Sequence, residues 1–179
     1  MAVLKKKLQT VTLGCSKNKV DTEHILSQVE DQYEIIPEGE DIPVDVLLLN
    51  TCGFIGDAKE ESIQAILEAV DRKSRGEVGK VVVFGCLSQR YQEQIMQEMP
   101  EVDGVLGTGS YANIVSAVET LLKDEPVSLF GSIDMPEEET GRILTTPEHY
   151  AYIKIAEGCD NRCAYCIIPY LRGKFRSRQ

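Results

Sequence analysis

Val44-Asp-Val-Leu-Leu-Leu-Asn-Thr-Cys52 is apolar almost without break as far as Leu49, then turns polar and meets a cysteine. A strand with one face in water alternates apolar and polar residues, whereas a nearly continuous apolar run belongs to a strand covered on both faces. Two other stretches also read as strands that run into a cysteine. Leu8-Gln-Thr-Val-Thr-Leu13 leads into Gly14-Cys15, and Val81-Val-Val-Phe84 leads into Gly85-Cys86. Helical periodicity fills the intervals. Val20, Ile25, Leu26 and Val29 mark a helix over about residues 19–31, and Ile63, Ile66, Leu67 and Val70 mark one over about 58–73. Short strands are predicted at Tyr33–Ile36 and Gly104–Leu106, and further helices over about 89–99 and 111–123. This alternation predicts an α/β fold, an open parallel sheet with helices on both faces.

The pattern stops after residue 131. Residues 132–149, with Met135-Pro-Glu-Glu-Glu-Thr-Gly141 and Thr145-Thr-Pro147, are acidic, turn-forming and aperiodic, which is a linker signature. Tyr150-Ala-Tyr-Ile-Lys-Ile155 then alternates as a strand and runs into a cysteine-rich loop. The expected organisation is a first domain over residues 1–131, an acidic linker over 132–149, and the opening of a second domain over 150–179.

Charge is divided in the same way. Residues 1–150 hold 13 Lys+Arg against 27 Asp+Glu, and residues 151–179 hold 6 against 2. The acidic body argues against broad nucleic-acid binding. The basic run Leu171-Arg-Gly-Lys-Phe-Arg-Ser-Arg178 could meet a phosphate or a carboxylate, but a solvated terminus is the favoured reading on composition. No apolar run approaches the roughly 20 residues of a membrane helix. Met-Ala-Val-Leu-Lys-Lys-Lys7 lacks the apolar core of a signal peptide, so a cytoplasmic protein with no membrane partner is expected.

Six cysteines in such a chain point to metal or redox work rather than disulfides, which belong to small exported domains. Cys15, Cys52 and Cys86 each follow the carboxyl end of a predicted buried strand, the edge at which open parallel sheets bind ligands. Three thiolates on adjacent strands suit one shared metal centre; the alternative is three small buried hydrophobes. Cys159, Cys163 and Cys166 form Cys-x3-Cys-x2-Cys, enough for three corners of an iron–sulfur cube whose fourth iron stays open to a non-protein ligand. Zinc is the rival, but structural zinc takes four protein ligands, and neither His24 nor His149 stands at a suitable spacing.

The run Lys154-Ile-Ala-Glu-Gly-Cys-Asp-Asn-Arg-Cys-Ala-Tyr-Cys-Ile-Ile-Pro169, with Arg172-Gly173 and Arg176-Ser-Arg178 after it, resembles the methylthiotransferase branch of the radical S-adenosylmethionine enzymes. Gly14-Cys15, Asn50-Thr-Cys-Gly-Phe54 and Gly85-Cys86 are similar to that branch's N-terminal cluster domain. The resemblance implies that Cys159, Cys163 and Cys166 bind a four-iron, four-sulfur cluster whose open iron chelates S-adenosylmethionine, from which a substrate-activating radical is made. It implies a second such cluster on Cys15, Cys52 and Cys86, presenting the sulfur to be delivered. Tyr165 stands where the family has an aromatic beside the cofactor's adenine, ordinary core packing being the alternative. No catalytic side chain is assigned.

Substrate divides the family. Ser16-Lys-Asn-Lys-Val-Asp-Thr-Glu23 is similar to the members that modify an aspartate of a small-subunit ribosomal protein rather than an adenosine of transfer RNA, whose usual residues here are Gln-Met-Asn. The resemblance further implies an electron donor such as flavodoxin or ferredoxin. It also implies that residues 150–179 are the first strand and cluster loop of a truncated partial barrel, so that the chain is an N-terminal fragment inactive alone. A non-catalytic iron–sulfur module is the reading from another class.

Overall fold

The computed structural model describes residues 5–134 and 141–178. The start of the lysine-bearing N-terminus, residues 135–140 of the expected linker, and Gln179 lie outside the described residues. The first unit runs β1 (Lys6–Thr12), α1 (Ser16–Val29), β2 (Tyr33–Ile36), β3 (Val44–Thr51), α2 (Gly56–Ser74), β4 (Val78–Gly85), α3 (Cys86–Glu98) and β5 (Gly104–Leu106). A 3-10 turn (Thr108–Asn113), α4 (Ile114–Leu121) and β6 (Val127–Leu129) follow. The strands pair in parallel throughout, in the order β2-β1-β3-β4-β5-β6. The chain steps outward from β1 to β2, returns to pair β3 with β1, and then proceeds the other way. The crevice beyond the carboxyl ends of β1 and β3 is therefore a topological switch point, where such sheets bind ligands.

The apolar runs behave as double-sided strands should. Leu48, Val82 and Phe84 face one core with Ile25 and Leu26 of α1 and Ile114 and Val118 of α4. Leu47, Leu49, Val81 and Val83 face the other with Ile66 of α2 and Ile95 of α3. Alternate residues of one strand thus serve both layers, so neither face shows a polar stripe.

The differences from expectation have local causes. The expected helix over 111–123 opens as the 3-10 turn, and only its second half is α4. Helix α3 begins at Cys86, but Tyr91 (φ −126°, ψ 32°) is non-helical and breaks the periodicity of its first turns. Leu67, read as part of the apolar stripe of α2, is exposed. Strand β6 is only partly buried, unlike the equally short β5, so no apolar run marks it.

The second part differs more. Among the described residues no strand covers Tyr150–Ile155; pairing begins only at β7 (Ala156–Glu157), antiparallel to β8 (Arg176–Ser177). A strand needs a hydrogen-bonding neighbour, and Ile153 and Ile155 remain 77% and 74% exposed. The reading of Leu171–Arg178 as a solvated terminus fails at its start. Leu171 and Arg172 close the short helix α5 (Ile168–Arg172) and are buried, while Lys174 and Phe175 stay exposed. Residues 141–145 also lie on α1: Ile143 N donates to Glu23 O at 3.1 Å, and Arg142 pairs with the Glu23 carboxylate at 2.5 Å.

Leu48→Ala is expected to lower the unfolding free energy by about 2–5 kcal/mol, because the cavity lies in the packed centre of the sheet. Leu67→Ala is expected to change it by less than about 0.5 kcal/mol. Urea unfolding followed by far-ultraviolet circular dichroism measures both.

Candidate metal centre

Parallel register decides where the first three cysteines stand. Thr12 of β1 lies opposite Asn50 of β3, and Thr51 of β3 opposite Gly85 of β4. Three adjacent strands therefore end nearly level, and the chain turns from each into a helix. Cys15 is the N-cap residue of α1, Cys52 directly follows β3, and Cys86 opens α3. Two glycines make the turns possible. Gly14 has φ +88°, and a Cβ there would stand 2.6 Å from Cys52 Cβ and 2.9 Å from its sulfur. Gly85 has φ +103°, and a Cβ there would lie 2.5 Å from Thr51 O and from Asn50 Oδ1. Left-handed backbone with no room for a side chain accepts only glycine.

Cys15, Cys52 and Cys86 line one cavity of about 760 Å³. Phe54, Ile55 and Ala58 supply apolar wall from the loop after Cys52 and the start of α2, and Ile168, Leu171 and Arg172 supply wall from α5. Cys15 is exposed, whereas Cys52 and Cys86 are buried, and all six cysteines of the chain are free thiols. Buried polar groups fix the loop: Ser62 Oγ accepts from Cys52 N at 2.9 Å and donates to Cys52 O at 3.0 Å.

Three thiolates around one cavity are the kind of donor set that a cube takes. Among the described residues no three His, Cys, Asp or Glu side chains converge closely enough to hold one metal ion. A cube takes each thiolate at a different iron, so its ligands stand around a volume instead of meeting at a point. Three cysteines around a shared cavity offer that arrangement. Asn50 Oδ1, buried beside Gly85, has no hydrogen-bond partner within the protein.

A buried charge network borders the same cavity. Arg172, 4% exposed, donates to Asp21 Oδ2 at 2.5 Å, to Glu157 Oε2 at 3.1 Å and to Asn18 Oδ1 at 2.6 Å. Lys154 joins Asp21 at 2.6 Å and Glu157 at 3.2 Å, and Lys17 reaches Glu157 at 2.9 Å. Cys86 Sγ lies 3.9 Å from the same Asn18 Oδ1. Burial pushes the Cys86 thiol up, and the neighbouring Arg172 charge opposes that. Burial also works against the Glu157 carboxylate, but Arg172 and Lys154 outweigh it and hold its pKa down at about 2. Tyr111 OH is buried without a partner, and its pKa is raised by burial, with Arg172 opposing.

The second triplet occupies the loop between β7 and α5. Cys159 N donates to Gly173 O at 3.1 Å and Cys166 N to Cys163 O at 3.0 Å, folding the loop back on itself. Cys163 is exposed, and Cys159 and Cys166 are partly so. Three thiolates on one short open loop suit three corners of a cube. Tyr165 is 91% exposed, so core packing does not account for it in this chain.

Sequence reading missed the network residues Asn18, Asp21, Lys154 and Glu157 as parts of a site, and it left Arg172 in a solvated tail. A signal was present in α1. Lys17, Asn18, Asp21 and Thr22 recur at spacings of three and four, a polar stripe on a helix whose other side is apolar. In the metal-free reduced chain, Ellman's reagent followed by peptide mass spectrometry is expected to label Cys15 and Cys163 first and Cys86 last, since burial and a raised pKa both slow the reaction.

Curated proteins similar to this chain share one name. Ribosomal protein uS12 methylthiotransferase RimO of Desulfitobacterium hafniense is 43% identical over 99% of this chain and 40% of its own length. The proteins of that name from Desulforamulus reducens and Heliobacterium modesticaldum are each 47% identical, over 94% and 99% of this chain and 38% of their own lengths. The chain thus spans about 40% of the length of the curated relatives it matches. A solved structure, the regulatory domain of the master biofilm regulator CsgD, is more distant: 18% identity and a TM-score of 0.43 over 68% of this chain and 91% of that one. A family model described as "Uncharacterized protein family UPF0004" matches residues 7–107, which run from the second residue of β1 through β5 and hold the cysteines at 15, 52 and 86. The chain belongs to that family, UPF0004.

Proposed function

We propose that this chain carries two four-iron, four-sulfur clusters as part of a radical S-adenosylmethionine methylthiotransferase that modifies an aspartate of ribosomal protein uS12. The observation that carries the reading is the common cavity of Cys15, Cys52 and Cys86, separate from the Cys-x3-Cys-x2-Cys loop of Cys159, Cys163 and Cys166. Two centres with three protein ligands each leave one open iron on each, and sulfur insertion needs both: one to activate the substrate and one to present sulfur. The names of the uS12 methylthiotransferase relatives support the ribosomal substrate. So does Ser16-Lys-Asn-Lys-Val-Asp-Thr-Glu23, against the transfer-RNA alternative.

Roles follow the residues. Cys159, Cys163 and Cys166 would hold the cluster that, when bound, supplies the electron for cleaving S-adenosylmethionine. Tyr165, exposed on that loop, would stack on the cofactor's adenine. Cys15, Cys52 and Cys86 would hold the second cluster, with the apolar wall of Phe54, Ile55 and Leu171 restricting water around it. The organisation proposed is a cluster-binding domain over residues 1–131, a connector over 132–149, and the start of the cofactor-binding domain over 150–179. The electron donor is a small carrier such as flavodoxin or ferredoxin, and the setting is cytoplasmic. No helix among the described residues is long and apolar enough to cross a membrane.

Anaerobic reconstitution with iron and sulfide tests the cluster assignment. About eight irons per chain are expected, and about four after either triplet is changed to alanine. Gly14→Ala, which drives a Cβ into Cys52, is expected to lose the same four as the first triplet. Unchanged iron after removal of Cys15, Cys52 and Cys86 overturns the reading. Given reductant and S-adenosylmethionine, the chain is expected to form 5′-deoxyadenosine far more slowly than a full-length uS12 methylthiotransferase; an equal rate overturns the proposal that turnover requires the remaining length.

A further inference from the structure

The buried charge network has a feature that the assignment of two clusters does not use. Arg172 is the cation of the network that lines the first cysteine cavity from α5, and it is held by carboxylates from two distant parts of the chain. Asp21 belongs to α1, the helix capped by Cys15, and Glu157 belongs to β7, two residues before Cys159. Asn18 gives a third contact, and its same Oδ1 lies near Cys86 Sγ. Among the described residues of the network the cations Arg172, Lys154 and Lys17 face the anions Asp21 and Glu157, and of these five Arg172 and Lys17 line the cavity. Asp57 and Glu61 of α2 also line the cavity.

We infer that Arg172 is the charge that sets the reduction potential of the Cys15–Cys52–Cys86 centre, and that Asp21 and Glu157 position it there from the elements carrying each triplet. The inference rests on the cluster reading above. Adding an electron to a thiolate-ligated cluster adds negative charge in a site of low polarity. A buried cation nearby favours the reduced state, and a buried anion opposes it. Through Glu157, the seating of the Cys159 loop then bears on the potential of the other centre. A guanidinium suits this task because it keeps its charge when buried and binds two carboxylates and an amide at once.

The test uses the chain with Cys159, Cys163 and Cys166 changed to alanine, reconstituted anaerobically with iron and sulfide, so that only the first centre loads. Its midpoint potential is read by titration monitored with electron paramagnetic resonance, with iron content measured on each sample. Arg172→Gln is expected to lower the reduction equilibrium constant about tenfold or more, which for a one-electron couple is about 59 mV. Asp21→Asn is expected to raise the potential, and Arg172→Lys to stay close to the parent. Opposite signs for Arg172→Gln and Asp21→Asn support the inference, because loss of structure alone unseats α5 in both and moves both the same way. Shifts of the same sign, or no shift with iron retained, overturn it. If Arg172→Gln does not hold iron, Asp21→Asn decides: a rise supports the inference, and a fall or no change overturns it. If the parent itself takes up no iron, the cluster reading and this inference both fall.

Discussion

Thr12 stands opposite Asn50, and Thr51 opposite Gly85, because β1, β3 and β4 are hydrogen-bonded in parallel and end at one edge. Everything at the candidate centre depends on that register. A parallel sheet puts every strand's carboxyl end on the same side, so residues that follow strands share a rim even when 30 or more positions separate them in sequence. Cys15, Cys52 and Cys86 use three neighbouring ends, including the switch point between β1 and β3. The double-sided burial of β3 and β4 holds the register, since slipping one strand by a residue exchanges which side chains face each core.

The second constraint is electrostatic. Asp21 lies buried in α1 and would be costly there alone, as would Arg172 in α5 and Glu157 in β7. Brought together they compensate one another; Asn18 Oδ1 accepts from Arg172, and Lys154 donates to Asp21 and Glu157. Such a network adds little net stability compared with apolar packing, but removing one member leaves a buried charge without a partner. The network ties α5 to the rim, where α5 makes one wall of the first cysteine cavity, and through Glu157 it reaches the base of the second cysteine loop.

The layered fold was legible because double-sided strands and amphipathic helices leave local signatures. Val44–Leu49 and Val81–Phe84 declare burial on two faces, and the glycines before Cys15 and Cys86 mark the turns at their ends. The shared cavity was legible from position, since each cysteine follows such a strand. The charge network was not. Asp21 and Arg172 are 151 positions apart, and no period connects them. Charged residues in a basic C-terminal run look solvated until a buried carboxylate is placed beside them. The strand expected over Tyr150–Ile155 was misread for a related reason: alternation marks a segment fit for a sheet, but the sheet must be there to receive it.

The proposed chemistry requires two sets of three thiolates that each enclose iron. Crystallographic anomalous scattering at the iron edge, from the chain reconstituted and kept without oxygen, addresses this directly. Two separate iron clusters are expected, one within bonding distance of Cys15, Cys52 and Cys86 and one of Cys159, Cys163 and Cys166. Iron confined to the second triplet, with Cys52 and Cys86 packed as buried thiols, would contradict it.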